Sequence, residues 1–273
     1  ASPALTATLT ATKASQTLAW TTNPAGSYYK DAAVPMAYSY DSSGTTPTVT
    51  QSGPCTIDDV HHTVTLTSST DTCTVTVHQA ADANHFAASD LTATLTGAKR
   101  PQTITLMAAP TSAAYGTSFS VQANGGAGSS QLSFSLAPGS GCTAVVGQSR
   151  SFTMTSGTVS CTVYIDQDGD GDYLAATRVS AVVTATKVAQ LGFTIPKSVK
   201  RKKNFLIATA NSHGLGVTVT ATGKCSVARV TIAGVAKWRV LAKNSKGTCS
   251  VVISQAGSAN YSLLRQTASL KVT

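Results

Sequence analysis

The feature that most limits what this chain can fold into is an internal repeat of 88 residues. Three segments align: DTCTVTVHQAADANHF (71–86), VSCTVYIDQDGDGDYL (159–174) and GTCSVVISQAGSANYS (247–262). Each segment carries a cysteine and, six residues later, a glutamine. These positions are Cys73, Cys161 and Cys249 for the cysteine and Gln79, Gln167 and Gln255 for the glutamine. A repeat of this length indicates three copies of one small domain, each with its own core.

Each copy has the sequence pattern of a β-sandwich. Short runs such as TVTL, CTVYI and CSVVI alternate polar with apolar residues and are broken by Gly, Pro, Asn or Asp. Several such strands within about 85 to 88 residues are typical of an antiparallel sandwich close to immunoglobulin size. The chain contains no Glu and is rich in β-branched residues, which favours strands over helices. We therefore predict an all-β fold of three tandem Ig-like antiparallel β-sandwiches, held by short links as an elongated rod.

The boundaries of the copies are predicted near Lys13, Lys99 and Lys187, where an alternating Thr/Ala-rich strand ends. The three predicted repeats are 14–98 (repeat 1), 99–186 (repeat 2) and 187–273 (repeat 3). The first thirteen residues, ASPALTATLTATK, match the closing strands SDLTATLTGAK and TRVSAVVTATK of later copies. We expect residues 1–13 to close a preceding repeat of a longer array, or to act as a donor strand in a neighbouring subunit.

The cysteines occur as one pair in each repeat. The predicted disulfides are Cys55–Cys73, Cys142–Cys161 and Cys225–Cys249. Many pairings of six cysteines are possible, and the repeat makes one bridge per copy the simplest. Disulfides indicate an oxidising compartment, so we predict an extracellular or cell-surface location.

Further motifs resemble a known class of repeat. The copies open with a Gln-x-Leu/Ile-type strand, repeat 2 has a turn at Tyr115 and Gly116, and 247–261 contains Gly-Thr-Cys followed by Gln-Ala-Gly-x-x-x-Tyr. This combination resembles the tandem Ig-like repeat regions of large secreted or cell-surface, adhesin-like proteins of bacteria. Repeat 1 departs from the pattern at Ala81 and Phe86. The resemblance covers nearly the whole chain and implies extracellular adhesion, spacing or surface assembly, without catalytic residues.

The acidic segment IDQDGDGDYL (165–174) is the clearest candidate for a metal site. Its carboxylates belong to Asp166, Asp168, Asp170 and Asp172. The first three, followed by Gly171, match the start of an oxygen-ligand calcium loop. Position twelve of such a loop would be Thr177, which has no carboxylate, and the other repeats have QAADAN and QAGSAN here. We therefore predict a turn first and a weak calcium site second, with no other cofactor.

Charge is distributed unevenly along the chain. Repeat 1 has a net charge of −6, repeat 2 is neutral, and repeat 3 has fourteen Lys and Arg residues and no Asp or Glu. The predicted anionic-partner patch consists of Lys197, Lys200, Arg201, Lys202 and Lys203. We expect it to bind a cell-surface polymer, or to associate with the acidic repeat of neighbouring copies in a head-to-tail filament.

Other function classes are less favoured. Nucleic-acid binding would need exposed aromatic residues, whereas Trp238 and Tyr261 are expected inside a sandwich. No run of about 20 apolar residues predicts a membrane span in this segment. His61 and His62 are adjacent on a strand and would face opposite sides, which disfavours zinc. Without Glu or a Gly-x-Ser-x-Gly elbow, we predict a non-enzymatic structural or adhesive protein. The alternative is a carbohydrate-binding or spacer region of a larger secreted enzyme.

Overall fold

The structure, a computed structural model, describes residues 2–211 and 213–273. All of the regular secondary structure in these residues is β-strand, which confirms the all-β prediction. Residues 2–12 are exposed and form no strand. Lys13 follows them, and its Nζ donates a hydrogen bond to the carbonyl oxygen of Asp82 (2.7 Å).

Repeat 1 contains nine strands. They are β1 (Leu18–Thr22), β2 (Gly26–Tyr29), β3 (Ala33–Pro35), β4 (Ala37–Tyr40), β5 (Thr48–Ser52), β6 (Cys55–Asp58), β7 (Thr63–Leu66), β8 (Thr72–His78) and β9 (Leu91–Ala98). Repeat 2 contains the next nine strands. They are β10 (Thr105–Ala108), β11 (Ser112–Ala114), β12 (Ser118–Ser120), β13 (Gln122–Asn124), β14 (Leu132–Leu136), β15 (Cys142–Val145), β16 (Gln148–Met154), β17 (Cys161–Gln167) and β18 (Val179–Thr186).

Repeat 3 contains seven strands in its described residues. They are β19 (Ser198–Val199), β20 (Asn204–Ala208), β21 (Val217–Gly223), β22 (Cys225–Ile232), β23 (Val235–Ala242), β24 (Gly247–Gln255) and β25 (Leu264–Val272). Repeats 1 and 2 each have an additional two-stranded sheet, formed by β1 with β4 and by β10 with β13.

The three repeats share one sandwich topology. The four-stranded sheets have the orders β2-β9-β8-β5, β11-β18-β17-β14 and β19-β25-β24-β21, and the three-stranded sheets β3-β7-β6, β12-β16-β15 and β20-β23-β22. In each four-stranded sheet the strand that comes first along the chain pairs in parallel with the strand that comes last along the chain, as β2 does with β9. The predicted Ig-like sandwiches are therefore confirmed, and each four-stranded sheet contains one parallel pair of strands.

Each core lies between the two sheets and follows the period-two pattern of the strands. In β17, for example, Cys161, Val163 and Ile165 are fully buried, and residues between them are half-buried. The three predicted disulfides are present, with Cα–Cα distances of 5.9, 5.4 and 5.4 Å. In every repeat the first cysteine begins a strand of the three-stranded sheet, and the second lies in the four-stranded sheet. Each disulfide therefore joins the two layers of its sandwich.

The chain divides into two compact units. The first comprises the chain up to Ile104 together with Gly125–Leu132 and Gln167–Thr177; the second comprises Thr105–Asn124, Ser133–Asp166 and Arg178–Thr273. The first unit thus holds repeat 1 and the loops at one end of repeat 2. The second holds the remainder of repeat 2 and repeat 3. The boundaries at residues 13, 99 and 187 stay predictions.

Candidate functional site

The acidic segment of repeat 2 forms a tight turn organised by Asp170. Its Oδ1 accepts hydrogen bonds from the backbone N–H groups of Asp172 (3.0 Å) and Tyr173 (2.9 Å). Its Oδ2 accepts bonds from the N–H (2.6 Å) and the hydroxyl (2.9 Å) of Ser129. The N–H and hydroxyl of Ser129, followed by the two turn N–H groups, lower the pKa of Asp170 to about 2.

The same turn occurs in all three repeats, three residues after the repeated glutamine. In repeat 1, Asp82 Oδ1 accepts bonds from the N–H groups of Asn84 and His85, both at 2.7 Å. In repeat 3, the Ser258 hydroxyl accepts the equivalent pair, both at 3.1 Å. A side-chain oxygen that caps two N–H groups of its own turn is sufficient to build this backbone. The prediction of a turn is supported without a metal.

Three of the four carboxylates of the predicted calcium loop have different partners, and the fourth, Asp168, is exposed. Asp166 Oδ1 accepts a bond from Arg178 Nε (2.7 Å), across the β17–β18 ladder. Asp172 binds Lys30 Nζ (3.1 Å) and the Ser69 hydroxyl (2.7 Å). Within residues 2–211 and 213–273, no group of three or more His, Cys, Asp or Glu side chains converges as metal ligands do. Calcium binding stays a prediction, and an ion here would have to replace these bonds.

Two glutamines recur in each repeat; five of the six are buried and Gln190 is half-buried. Several of them hold the turn or a neighbouring loop, a role that the sequence analysis did not assign. Those at the start of each repeat, Gln16, Gln102 and Gln190, donate through Nε2 to the two carbonyl oxygens that flank the turn. In repeat 1, the repeated Gln79 donates to the carbonyl oxygens of Asp41 and Thr45, both at 2.9 Å. The available signal was their recurrence at spacings of 86 and 88 residues for the opening glutamines and 88 and 88 residues for Gln79, Gln167 and Gln255.

Replacing Asp170 by serine should reduce the loss of stability in acid. The folded carboxylate has a pKa of about 2, whereas an unfolded Asp titrates near 3.9. Below about pH 4 the unfolded chain therefore binds more protons, so the contribution of Asp170 is complete above that pH and disappears as the pH falls towards 2. Serine keeps the turn, as Ser258 does, but does not titrate. Urea unfolding between pH 2 and 6 should give a flatter profile for Asp170→Ser.

Ser129→Ala is the matched control for this measurement. It removes one of the two Ser129 donors and keeps both the carboxylate and the N–H bond. Its pH profile should lie between those of the parent and Asp170→Ser. An Asp170→Ser profile as steep as that of the parent would show that this carboxylate does not contribute to acid sensitivity.

Repeat 1 meets the turn of repeat 2 within the first compact unit. Asp172 of the turn binds Lys30 and Ser69 of repeat 1. Arg100 donates to the carbonyl oxygen of Lys30 (2.7 Å) and lies over the ring of Tyr29, 5.7 Å from its centroid. The Ser69 hydroxyl and the Lys30 ammonium lower the pKa of Asp172, and the bond to Asp172 raises the pKa of Lys30. A cation and a hydroxyl thus hold the carboxylate of the following repeat.

An equivalent junction joins repeats 2 and 3 within the second unit. The N–H of Gly157 donates to Asn260 Oδ1 (3.0 Å), and a Cβ at Gly157 would meet the carbonyl oxygen of Ala259 at 2.6 Å. Tyr115 packs edge-on against Tyr261 (5.7 Å between ring centroids). The expectation that Tyr261 packs inside a sandwich is wrong, because its position next to Asn260 in the turn directs its ring to the junction.

Each junction uses corresponding positions of the two repeats. Ser69 and Gly157 both stand four residues before the second cysteine of their repeat, and Asp172 and Asn260 both stand eleven residues after it. A turn after the first strand of the four-stranded sheet lies at the same end. Its central residue has a left-handed backbone in all three repeats: Asp31 (φ 64°), Gly116 (φ 79°) and Lys202 (φ 59°). The N–H of that residue bonds the carbonyl oxygen of Leu66, Met154 or Ala242.

In repeat 3 this end carries the predicted basic patch. Lys200, Arg201, Lys202 and Lys203 form the turn, and all are exposed. Backbone bonds from Lys202 to Ala242 (3.1 Å) and from Lys243 to Lys224 (2.9 Å) bring further cations beside them. Lys197 lies at the other end of the two-residue strand β19, where its carbonyl oxygen accepts a bond from the N–H of Lys271. We call the residues Lys200, Arg201, Lys202, Lys203, Lys224, Lys243 and Lys246 the basic end of repeat 3.

A second surface feature was missed in the sequence. Trp20 and Tyr38 face each other in the β1–β4 ladder with ring centroids 6.3 Å apart, and Tyr40 lies 6.3 Å from Tyr38. Tyr38 and Tyr40 also line a surface cleft with His62. The two-residue spacing of the tyrosines in AYSY, which places both on one face, was the available signal.

The histidines of repeat 1 that bind carboxylates do so separately: His61 with Asp58, His78 with Asp90 and His85 with Asp82.

No protein-family model matches this chain, and no curated protein matches it. Solved structures with similarity include protocadherin gamma B7 extracellular cadherin domains 1–4 (8% identity, 94% of this chain and 76% of that chain, TM-score 0.32). Another is the S-layer protein rSbsC(31-844), with 11% identity over 96% of this chain and 40% of that chain and a TM-score of 0.31. A third is the Escherichia coli adhesin FdeC, with 15% identity over 94% of this chain and 96% of that chain and a TM-score of 0.22. Scores this low assign neither a family nor a function. No helix that could span a membrane occurs in the described part of the chain.

Proposed function

We propose that this protein is a non-enzymatic structural or adhesive component of the bacterial surface, located outside the cell and able to associate head to tail. A structural role is supported by three sandwiches, each with a disulfide between its two sheets, and by the junction that recurs between consecutive repeats. The disulfides support an extracellular location, because they persist in oxidising compartments.

The parallel pairing of the first and last strands of each four-stranded sheet is the observation that carries this proposal. The pairs are β2–β9, β11–β18 and β19–β25. When the two ends of a repeat are pulled apart, strands paired in parallel slide along each other. Their hydrogen bonds are then loaded together instead of one after another. Such a repeat resists tension, which suits a structural or adhesive protein that transmits force.

Single-molecule force spectroscopy on the intact chain tests the proposal. We expect three separate unfolding events, one for each sandwich. Under oxidising conditions each disulfide keeps the loop between its cysteines from extending when the repeat unfolds. The sequence separations of the three cysteine pairs are 18, 19 and 24 residues. Reduction should lengthen the released chain by about 65 to 85 Å per repeat, at about 3.6 Å per residue. Extension in a single low-force step, without three events, would contradict a load-bearing role.

Carbohydrate binding is a second candidate function, favoured by the aromatic cleft of Tyr38 and Tyr40. Aromatic rings suit the apolar faces of sugar rings, and 42% of Tyr40 is exposed. Binding of a neutral polysaccharide that Tyr40→Ala abolishes would favour this function. It would also agree with an accessory region of a larger secreted enzyme.

A further inference from the structure

The basic end of repeat 3 corresponds to the ends of repeats 1 and 2 that hold the turn of the next repeat. Lys202 occupies the left-handed position of Asp31 and Gly116, and Arg201 precedes it as Lys30 and Tyr115 precede theirs. Ser245 stands four residues before Cys249, the place that Ser69 and Gly157 occupy in their repeats. Repeat 3 therefore has the backbone of a docking end.

The turns that could dock there are not equally available. The turn of repeat 2 is held by repeat 1 through Asp172, and the turn of repeat 3 is held by repeat 2 through Asn260. The corresponding turn of repeat 1 is formed by residues 81–85. Its Asn84 occupies the place of Asp172 and Asn260, and it is exposed. Asp82 stands two residues before it, where Asp170 stands in repeat 2.

The charges of these two surfaces are complementary. Repeat 3 contains no Asp or Glu, so its side chains offer the basic end no carboxylate. Repeat 1 has seven Asp and one Lys. The junction of repeats 1 and 2 already uses such a pair: Lys30 supplies the cation on the docking end, and Asp172 supplies the carboxylate on the turn. Attraction between opposite fields also accelerates the encounter of two proteins.

We propose that the basic end of repeat 3 binds the 81–85 turn of repeat 1 in a second copy of this chain. The contact would reproduce between chains the junction that already joins repeats within the chain. Because it joins different surfaces of two identical molecules, each added copy leaves one surface of each kind free, and the chain of copies grows unless it closes into a ring. The inference rests on the proposed structural role and adds to it the partner and the residues of the contact.

A cell-surface polyanion would use the same positive charge but not the same geometry. A flexible polymer needs neither the left-handed turn nor a partner turn with a fixed backbone. The second copy is favoured because both halves of the contact already exist in this chain, and because two of its three turns are seated in this way.

Sedimentation velocity at increasing protein concentration tests the proposal, at about 0.01 M and about 1 M salt, where screening lengths are about 30 and 3 Å. We expect reversible self-association at low salt and monomers at high salt. Lys200→Glu with Lys203→Glu should weaken the association at least about tenfold. Asn84→Lys should weaken it similarly, whereas Asn84→Asp, which imitates Asp172, should strengthen it.

Two controls make the result specific. Arg229→Glu with Arg239→Glu removes the same charge from the exposed β22–β23 surface of repeat 3 and should leave most of the association intact. The Lys200/Lys203 variant and the Asn84→Lys variant each retain one intact half of the contact. In a mixture of these two variants, the unchanged basic end of the Asn84→Lys variant should bind the unchanged turn of the Lys200/Lys203 variant, so that association returns.

Other outcomes would overturn the proposal. A chain that stays monomeric at low salt would contradict the proposal. Binding of polyglutamate through Lys200 and Lys203 without self-association would show that the basic end serves a polyanion. If the Arg229/Arg239 control lost as much self-association as the Lys200/Lys203 variant, the loss would be explained by net charge alone and not by a specific contact. The proposed load-bearing role would be unaffected by either result, because force spectroscopy on single chains tests it independently.

Discussion

Replacing Cys225 and Cys249 together by alanine is expected to lower the free energy of unfolding of repeat 3 by about 3 kcal/mol. The bridge closes a loop across 24 positions and joins β22 of one sheet to β24 of the other. Without it, the unfolded chain gains the conformational freedom of that loop. Both cysteines are buried in the core, so the removal of two sulfur atoms adds a small packing loss. The double replacement leaves no unpaired thiol.

Tryptophan fluorescence during urea unfolding can follow this repeat alone. The chain has two tryptophans, and Trp238 packs against the core of repeat 3 with Nε1 bonded to the carbonyl oxygen of Val217 (2.7 Å). Trp20 is in repeat 1, and its buried Nε1 has no hydrogen-bond partner among the described residues. Trp20→Phe should therefore be tolerated and leaves Trp238 as the reporter.

The matched control removes Cys55 and Cys73 in the same Trp20→Phe background. That pair lies in the first compact unit, so the Trp238 transition should keep its midpoint. A loss below about 1 kcal/mol for the Cys225/Cys249 variant would mean that the unfolded repeat stays compact without its bridge.

The sandwich was predictable because its signals are local. Alternation along strands such as CTVYI fixes which side chains face the core, and glycine, proline and aspartate mark the turns between them. Because the same pattern recurs in three copies 88 residues apart, each copy supported the assignment of the other two. The cysteine pairing followed from the same repeat, since it required no knowledge of which sheet each strand joins.

The junctions were not predictable because their contacts are distant in sequence and their spacing is irregular. Ser69 and Asp172 are 103 residues apart. The left-handed turn residues Asp31, Gly116 and Lys202 stand 85 and 86 residues apart, so the 88-residue alignment of the cysteines does not superpose them. The basic patch was visible as charge. Its correspondence to a docking end appeared only once strand register placed it beside the closing strand.

Replacing Gln79 by leucine should destabilise repeat 1 by about 2 to 3 kcal/mol. This glutamine is fully buried, and its Nε2 donates to the carbonyl oxygens of Asp41 and Thr45, both at 2.9 Å. Leucine fills a similar volume and leaves both carbonyls without this donor. Because Asp41 and Thr45 are half-buried, each loss should cost about 1 kcal/mol or slightly more, the lower end of the range for a buried group. Hydrogen exchange of the β8 amides should accelerate by about thirtyfold or more, because core strands exchange through global opening.

Gln51→Leu is the control for this substitution, because Gln51 is exposed and its Nε2 donates a single bond to the carbonyl oxygen of Cys55 (3.1 Å). Its effect should stay within about 0.5 kcal/mol. If Gln79→Leu were as mild as Gln51→Leu, water would have to reach the loop carbonyls, and the turn would be fixed mainly by Asp82 and Gln16. A large difference between the variants would assign the repeated glutamine a structural purpose. Gln79 holds the loop that contains Thr45, and the Thr45 hydroxyl donates to the carbonyl oxygen of Ala80 (2.7 Å), next to the 81–85 turn on which docking between copies depends.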